Sequence, residues 1–391
     1  MNNFTYWAPT KVIFGKGTAA LTGGEVKSFN GSRALIIYGG GSVVKSGLLD
    51  TVRLSLEDSG VVCYCIGGVQ PNPLVEFAQE IADGHKAKNI DFVLAVGGGS
   101  VIDTAKAVAH GLASPDTQIW DFITQKEPLV KSLPIGVVLT IAAAGSETSM
   151  SSVLTSKATG IKRGLNTQFN RPVFAIMDPV LTYTTPRRHT ACGIVDIIMH
   201  TLDRYFAPDA GNAVTDAFAE ALMRVVIENG RIALGEPEDY YARSELLWAG
   251  SLSHNGLTGL GQTLDFTVHQ LGHALSAKYD IPHGESLSAS WPVWARYVYR
   301  DDVGRFAKYA RNVWSVAESD DEEAAVAGIE ATIKYFRDIG VPVTLTEAVG
   351  ACSDADIDEL VDICTFRGTR AIGAFKSLCA DDIRAIYRSS L

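Results

Sequence analysis

Between residues 34 and 177 short apolar runs repeatedly end in glycine or proline, and most are followed by a stretch whose apolar side chains recur at helical spacing. Residues 34–38 run into Gly39-Gly40-Gly41-Ser42, and residues 92–96 run into Gly97-Gly98-Gly99-Ser100. A short apolar run without alternation reads as a strand buried on both faces, and the glycines mark its turn. Further strands are predicted at 61–66, 135–139 and 173–177, with a strand or hairpin at 4–14. Helices are predicted at 48–59, 74–88 and 101–112. Strands alternating with helices mean a largely parallel sheet. Past residue 186 the strand-like runs fade, and helical spacing continues through 194–205, 213–228, 240–253, 266–277, 303–316 and 322–339. The pattern therefore predicts an α/β domain at 1–186 and an all-helical domain at 187–391.

Composition agrees with this division and narrows the class. A chain of 391 residues is long enough for two domains. With 47% hydrophobic and 20% charged residues it has the balance of an ordinary globular protein. A net charge of −10 argues against a nucleic-acid partner. No apolar stretch is long enough to span a bilayer, and the first residues lack a basic segment followed by an apolar one. The six cysteines are scattered without framework spacing, which predicts reduced thiols, with Cys63 and Cys65 on one face of a strand. These features lead to the expectation of a soluble cytoplasmic protein with no membrane partner.

The glycine turns carry the first candidate chemistry. A strand-to-helix turn at Gly97, Gly98, Gly99 and Ser100 lets backbone N–H groups and the helix dipole approach a phosphate. Neither turn has the GxGxxG spacing of the common dinucleotide fingerprint, and a tight turn without ligand has the same appearance. Asp103 and Lys106 follow on the next helix, as cofactor contacts or as a solvated pair. Dinucleotide folds that bind NAD place an acid at the end of the first strand to hold the ribose hydroxyls. Here that place is taken by Gly39, Gly40, Gly41 and Ser42, so a 2′-phosphate can fit, with Ser42 and Lys45 as donors. The cofactor expected is NADP(H). Thr140 and Ser146, after the strand at 135–139, offer hydroxyls to it, although Ser146 also suits a helix N-cap. Lys162 could reach a phosphate or the substrate, or lie on the surface.

The second candidate is a metal centre. Asp196 and His200, four apart, fall on one face of a predicted helix, as do His269 and His273. His283, after Pro282, opens a new element. Four of the chain's eight histidines are in this set. Oxygen and nitrogen donors without a thiolate suit one divalent ion, Fe(II) or Zn(II). His269 and His273 compete for one ligand place, and spacing leaves the choice open. The other becomes a proton shuttle, since an imidazole titrates near neutral pH. His85, His110, His189 and His254 lack such neighbours and read as structural or exposed.

Together these residues resemble the iron-containing (group III) alcohol dehydrogenases, especially their NADPH-dependent aldehyde reductase and butanol dehydrogenase branch. The resemblance runs from Phe14-Gly15-Lys16-Gly17 through Tyr38 to Ser42, Pro71-Asn72-Pro73, Gly97 to Ser100 with Asp103 and Lys106, and Gly145-Ser146-Glu147. It continues through Asp178-Pro179, Asp196 and His200, His269, His273, and Pro282-His283-Gly284, so it covers nearly the whole chain. It implies a Rossmann-like N-terminal domain and a helical C-terminal domain of dehydroquinate-synthase-like architecture, with the active site in the cleft. It implies Asp196, His200, His269 and His283 as metal ligands, His273 as the nearby non-ligand histidine, Asn72 as a cofactor contact, and a homodimer. Ala144 departs from the pattern, because many members carry threonine there.

The activity expected is hydride exchange between NADP(H) and a small aldehyde or primary alcohol. One alternative is an NAD(H)-dependent alcohol or polyol dehydrogenase of the same fold. Another is a dehydroquinate-synthase-like lyase, which needs basic residues for an anionic substrate, whereas Leu264, Phe266, Trp291 and Trp294 make the stretch around the ligands apolar. A non-catalytic nucleotide sensor or metal store is the remaining alternative.

Overall fold

The computed structural model describes residues 1–209 and 212–391. Contacts group the chain into two compact units, one of Trp7–Thr185 and one of Pro186–Leu391 with Met1–Tyr6. The first residues join the helical unit because Asn2 donates its backbone N–H to the Gly261 carbonyl at 2.9 Å and its side-chain amide to Asp209 at 2.8 Å. No helix among the described residues is long and apolar enough to cross a membrane.

The α/β unit contains β1 (Lys11–Phe14), β2 (Arg33–Tyr38), β3 (Val62–Ile66), β4 (Phe92–Gly97), β5 (Ile135–Leu139), β6 (Ser151–Ser156), β7 (Ile161–Asn166) and β8 (Phe174–Met177). Its helices are α1 (Thr22–Ser28), α2 (Ser42–Lys45), α3 (Leu48–Asp58), α4 (Val75–His85), α5 (Gly99–Ala113) and α6 (Ile119–Ile123). Six strands form one parallel sheet in the order β1-β8-β5-β4-β2-β3, as the alternation of runs predicted. The inner strands β4, β5 and β8 are buried at every position, and this accounts for their unbroken apolar sequence. Val52 and Leu56 of α3 pack with Ile36, Leu94 and Ile176 to close one face of the sheet. Phe174 stacks between Phe29 and Phe92 at centroid distances of 6.1 and 5.8 Å, and the fully buried rings of Phe174 and Phe92 each contribute about 1.5–3 kcal/mol by leaving water.

Two expectations for this unit need correcting. Only Lys11–Phe14 of the segment 4–14 is a strand, because β1 is an edge with β8 as its single neighbour. The antiparallel hairpin β6–β7 was not foreseen. Its strands carry Ser151, Ser152, Thr155, Lys162 and Arg163, too polar a sequence to read as a buried run.

The helical unit contains α7 (Arg187–Tyr205), α8 (Ala213–Gly235), α9 (Tyr240–His254), α10 (Thr267–Tyr279), α11 (His283–Val298), α12 (Val303–Trp314), α13 (Asp321–Ile339), α14 (Leu345–Val349), α15 (Asp354–Cys364) and α16 (Ala380–Arg388). Helix α7 is its centre. Every residue from 190 to 205 is buried, and α8, α9, α10 and α11 all pack against it. A helix buried on all sides can carry polar groups only if something pairs with them, so the Asp196, His200 and Asp203 on α7 require partners.

Candidate metal and nucleotide sites

In the α/β unit the two glycine turns leave the C-terminal ends of adjacent strands, with Tyr38 of β2 level with Val96 of β4. Beside the first turn lies a cavity of about 530 Å³ lined by Gly39, Gly40, Gly41, Lys45, Gly68 and Gln70, among others. No carboxylate lines it, and Lys45 brings a positive charge. Ser42 is exposed at the start of α2, outside that lining. The second turn feeds α5, a helix of 15 residues with Gly98 at its cap, no acid in its first turn and no side-chain cap. The first N–H groups of Gly99 and Ser100 lack intrahelical acceptors, which is the arrangement that receives a phosphate. A Cβ on Gly98 would come within 2.4 Å of Ile141 Cγ2, so a larger residue there would force the turn or Ile141 to shift.

The polar residues around these turns are tied to one another. Asp103 accepts a hydrogen bond from Ser146 Oγ at 2.6 Å and one from the Val153 N–H at 2.9 Å. Lys106 is fully buried and donates to the Ser146 hydroxyl and carbonyl and to the Ser151 carbonyl, each at 2.7 Å. Burial lowers its pKa to about 8 against the Asp103 and Glu147 carboxylates, which pull it up. The buried Lys106 and half-buried Asp103 thus brace the Ser146 turn rather than forming a solvated pair. Ser146 caps no helix, since residues 145–150 are turns and bends leading into β6. The Thr140 N–H reaches the Gly97 carbonyl at 3.2 Å and holds the second turn to the end of β5. Lys162 is buried rather than on the surface, and its Nζ donates to Asn72 Oδ1 at 2.9 Å.

In the helical unit Asp196, His200 and His269 are buried, and one donor atom from each lies within 4.8 Å of the others. His283, the first residue of α11, places Nε2 3.8 Å from Asp196 Oδ1. The half-buried His273 ring centroid stands 5.4 Å from that of His283 and 6.2 Å from that of His269. Helix α11 approaches α7 closely, and a Cβ on Gly284 would fall 2.4 Å from the Cys192 carbonyl oxygen. Arg188 of α7 also clamps Glu285 of α11, with one guanidinium bond at 2.8 Å.

The electrostatics of this cluster suit a cation. Burial pushes the Asp196 carboxyl up, yet the His200 and His283 rings hold it well below the usual carboxylate range. Burial lowers His200 to about 4, so its ring is neutral at pH 7. His269 is depressed by burial but raised overall by the Asp196 and Asp203 carboxylates. Asp196 Oδ1 and His269 Nε2 are buried without a well-aligned hydrogen bond, the His200 Nδ1 standing 3.0 Å from Asp196 Oδ1. A buried carboxylate held mainly by neutral imidazoles is costly to keep charged, and a divalent cation ligated there would reduce that cost. Carboxylate and imidazole donors without thiolate fit Fe(II) or Zn(II).

Sequence spacing missed three neighbours of the cluster. Asp203 accepts from His269 Nδ1 at 2.5 Å, and its position seven residues after Asp196 put it on the same helix face, a signal present in the sequence. His254 does have a neighbour, because its ring meets that of His200 edge-on at 4.1 Å. Arg204 is buried between them, donating to the His200 carbonyl at 2.6 Å and to His254 Nδ1 at 3.2 Å. Phe266, at φ 55°, holds a strained left-handed turn at the start of α10, with its ring 5.4 Å from that of His269. Of the other apolar residues expected nearby, Trp291 and Trp294 lie in the core against Tyr309, Phe206 and Phe306, and Leu264 is exposed.

Residues 9–179 match the model of the iron-containing alcohol dehydrogenases, and residues 190–391 match the C-terminal model of the same family. The chain belongs to the iron-containing alcohol dehydrogenase family. Within that family it is 38% identical to NADH-dependent butanol dehydrogenase A of Clostridium acetobutylicum and 35% identical to the NADPH-dependent aldehyde reductase YqhD of Escherichia coli, covering 100% of each chain. Its fold superimposes on the structure of NADH-dependent butanol dehydrogenase A of Thermotoga maritima with a TM-score of 0.96 at 34% identity, over 100% of this chain and 99% of that one. The dehydroquinate-synthase-like architecture, with a parallel-sheet N-terminal part followed by helices, is that of the family's solved members.

Proposed function

We propose that this family member is an NADP(H)-dependent alcohol dehydrogenase acting as an aldehyde reductase, exchanging a hydride between the nicotinamide and a small aldehyde or primary alcohol. The observation that carries the metal-dependent reading is the convergence of buried donor atoms from Asp196, His200 and His269 within 4.8 Å of one another. Asp196, His200, His269 and His283 would hold one Fe(II) or Zn(II). Such an ion, when bound, supplies Lewis acidity toward a carbonyl or hydroxyl oxygen. His273, set beside His269 and His283, passes a proton between its imidazole and the substrate oxygen. Phe266 and the neutral His200 and His254 rings keep this end of the site poor in bulk water.

The α/β unit would bind the cofactor. The N–H groups of Gly99 and Ser100 receive the pyrophosphate, with Gly97, Gly98 and Thr140 holding the turn's shape. Asp103 and Ser146 support this turn through their mutual hydrogen bond, and Asn72 and Lys162 form a second polar pair for the cofactor. The NADP(H) preference is supported by the cavity at Gly39, Gly40 and Gly41, where Lys45 stands and no carboxylate opposes a 2′-phosphate. Of the three relatives named, two are called NADH-dependent and one NADPH-dependent, so the proposal rests on the cavity's own chemistry.

Metal analysis of protein purified without added metal, with NADPH and NADH rates on a short aldehyde, tests both halves. About one divalent ion per chain and a higher kcat/KM with NADPH are expected. Full activity in metal-free protein, or a clear NADH preference, would overturn the corresponding half. His273→Ala should keep its metal while kcat falls about 10²–10⁴-fold.

A further inference from the structure

Asp203 is 1% exposed and is not needed as a metal ligand. It lies two turns beyond Asp196 on α7, on the face that also carries His200. Its Oδ2 accepts two hydrogen bonds from one residue, His269: Nδ1 at 2.5 Å and the backbone N–H at 3.2 Å. The backbone bond settles where the first turn of α10 stands. The ring bond settles how the imidazole is turned. A carboxylate can only accept, so His269 Nδ1 carries the proton and the Nε2 lone pair is left for another partner. That Nε2 is the buried atom without a hydrogen bond, 3.8 Å from Asp196 Oδ1.

Asp203 is itself well anchored. Its carbonyl accepts the Asp265 N–H at 3.1 Å, and the Asp265 carboxylate takes the Thr267 N–H at 3.0 Å and those of Ala374 and Phe375 at 2.6 and 2.7 Å. Asp265 therefore caps the start of α10. That work does not require Asp203 to hold the His269 ring, and the shorter of its two bonds goes to the ring.

We propose that Asp203 is a positioning residue for metal binding, its carboxylate fixing His269 in the orientation and tautomer that present Nε2 to the cation. The inference rests on the metal reading above. Loss of such a partner behind a ligating histidine costs about 10–100-fold in metal affinity.

The test titrates metal-free wild type and Asp203→Asn with Zn²⁺ against a chelating indicator. Asparagine keeps an oxygen for the backbone N–H and loses the charge, so the metal-free variant should unfold within a few degrees of wild type while its Zn²⁺ affinity falls about 10–100-fold. Asp265→Asn, which touches the cap and not the ring, should change affinity less than about threefold. A ¹⁵N-imidazole spectrum of Zn²⁺-loaded wild type needs no variant to fold, and should show His269 protonated on Nδ1 and ligated through Nε2. Wild type that binds no Zn²⁺ would overturn the metal reading and this inference with it. Tight wild-type binding with unchanged affinity in Asp203→Asn, or a His269 ligated through Nδ1, would overturn the inference alone.

Discussion

The two units build their candidate sites from different materials. In the α/β unit the groups that would meet a cofactor are backbone N–H donors at Gly99 and Ser100, in a turn shaped by the absence of side chains at Gly97 and Gly98. In the helical unit they are the side-chain atoms of Asp196, His200 and His269, held at the centre of a buried helix cluster, with the half-buried His283 beside them. A backbone site tolerates most changes around it and fails when a Cβ is added. A side-chain site fails when one donor is removed, because the remaining buried groups are then left unpaired. The first should therefore lose affinity by degrees, and the second should lose function at once.

The largest effect that this comparison predicts is that of His269→Ala. It should abolish stoichiometric metal binding and lower kcat by more than about 10³-fold, a transition-state loss of about 4 kcal/mol or more. NADPH binding, followed by fluorescence, should stay within about threefold of wild type, since the turns proposed to receive it belong to the other unit. A parallel loss of cofactor affinity would break the distinction between the two sites.

Gly98→Ala probes the other side with a smaller effect. The new Cβ would approach Ile141 Cγ2 to 2.4 Å, so the turn or Ile141 must shift, and a shift approaching an ångström at a binding turn costs about 10–100-fold. The KM for NADPH should rise by that factor with metal content unchanged. Adding Ile141→Ala to the same chain should recover part of the loss, because it removes the clashing methyl. If the double variant is no better than Gly98→Ala, the turn is limited by backbone conformation rather than by close approach.

What could be read in advance follows the same division. Strand, glycine turn and helix alternate visibly because a parallel sheet needs unbroken apolar strands, and β2, β4, β5 and β8 supply them. The Asp196 and His200 spacing was readable because an i, i+4 pair on a helix has one geometric meaning. Asp203, three residues further on, carried the same signal, but only its burial distinguishes it from any other acid on a helix. His254 could not be placed, because its neighbour His200 is brought to it by the packing of α9 on α7 and by no local pattern. Helix α11 was missed for another reason. Residues 284–295 are all buried, so no apolar stripe stands out, and the internal Pro292 reads as a break. The β6–β7 hairpin hid behind its polar composition.

The smallest predicted effect concerns the support beneath the backbone site. On α5, three turns beyond Gly98, His110 is buried, with Nε2 2.8 Å from Asn170 Oδ1 and Nδ1 2.9 Å from Ser132 Oγ. Burial lowers its pKa to about 4, with the Asn170 hydrogen bond opposing the shift and the nearby Lys106 charge adding to it. The folded ring thus stays neutral over a range where the unfolded chain, at the ordinary value near 6.5, takes up a proton. The stabilisation is fully present above about pH 6.5, falls as the pH drops toward 4, and is constant below that. Between pH 7 and pH 5 the loss is about 2 kcal/mol. His110→Gln keeps a polar group in the network and removes the titration, so the urea midpoint of the α/β unit should fall less steeply with acid than in wild type. Its NADPH affinity at pH 7 should change little, because the backbone donors at Gly99 and Ser100 do not depend on that ring. An acid slope identical to wild type would show that His110 is not held neutral in the fold. A large loss of NADPH affinity at neutral pH would show that the turn leans on the side chains beneath it more than a backbone-built site should.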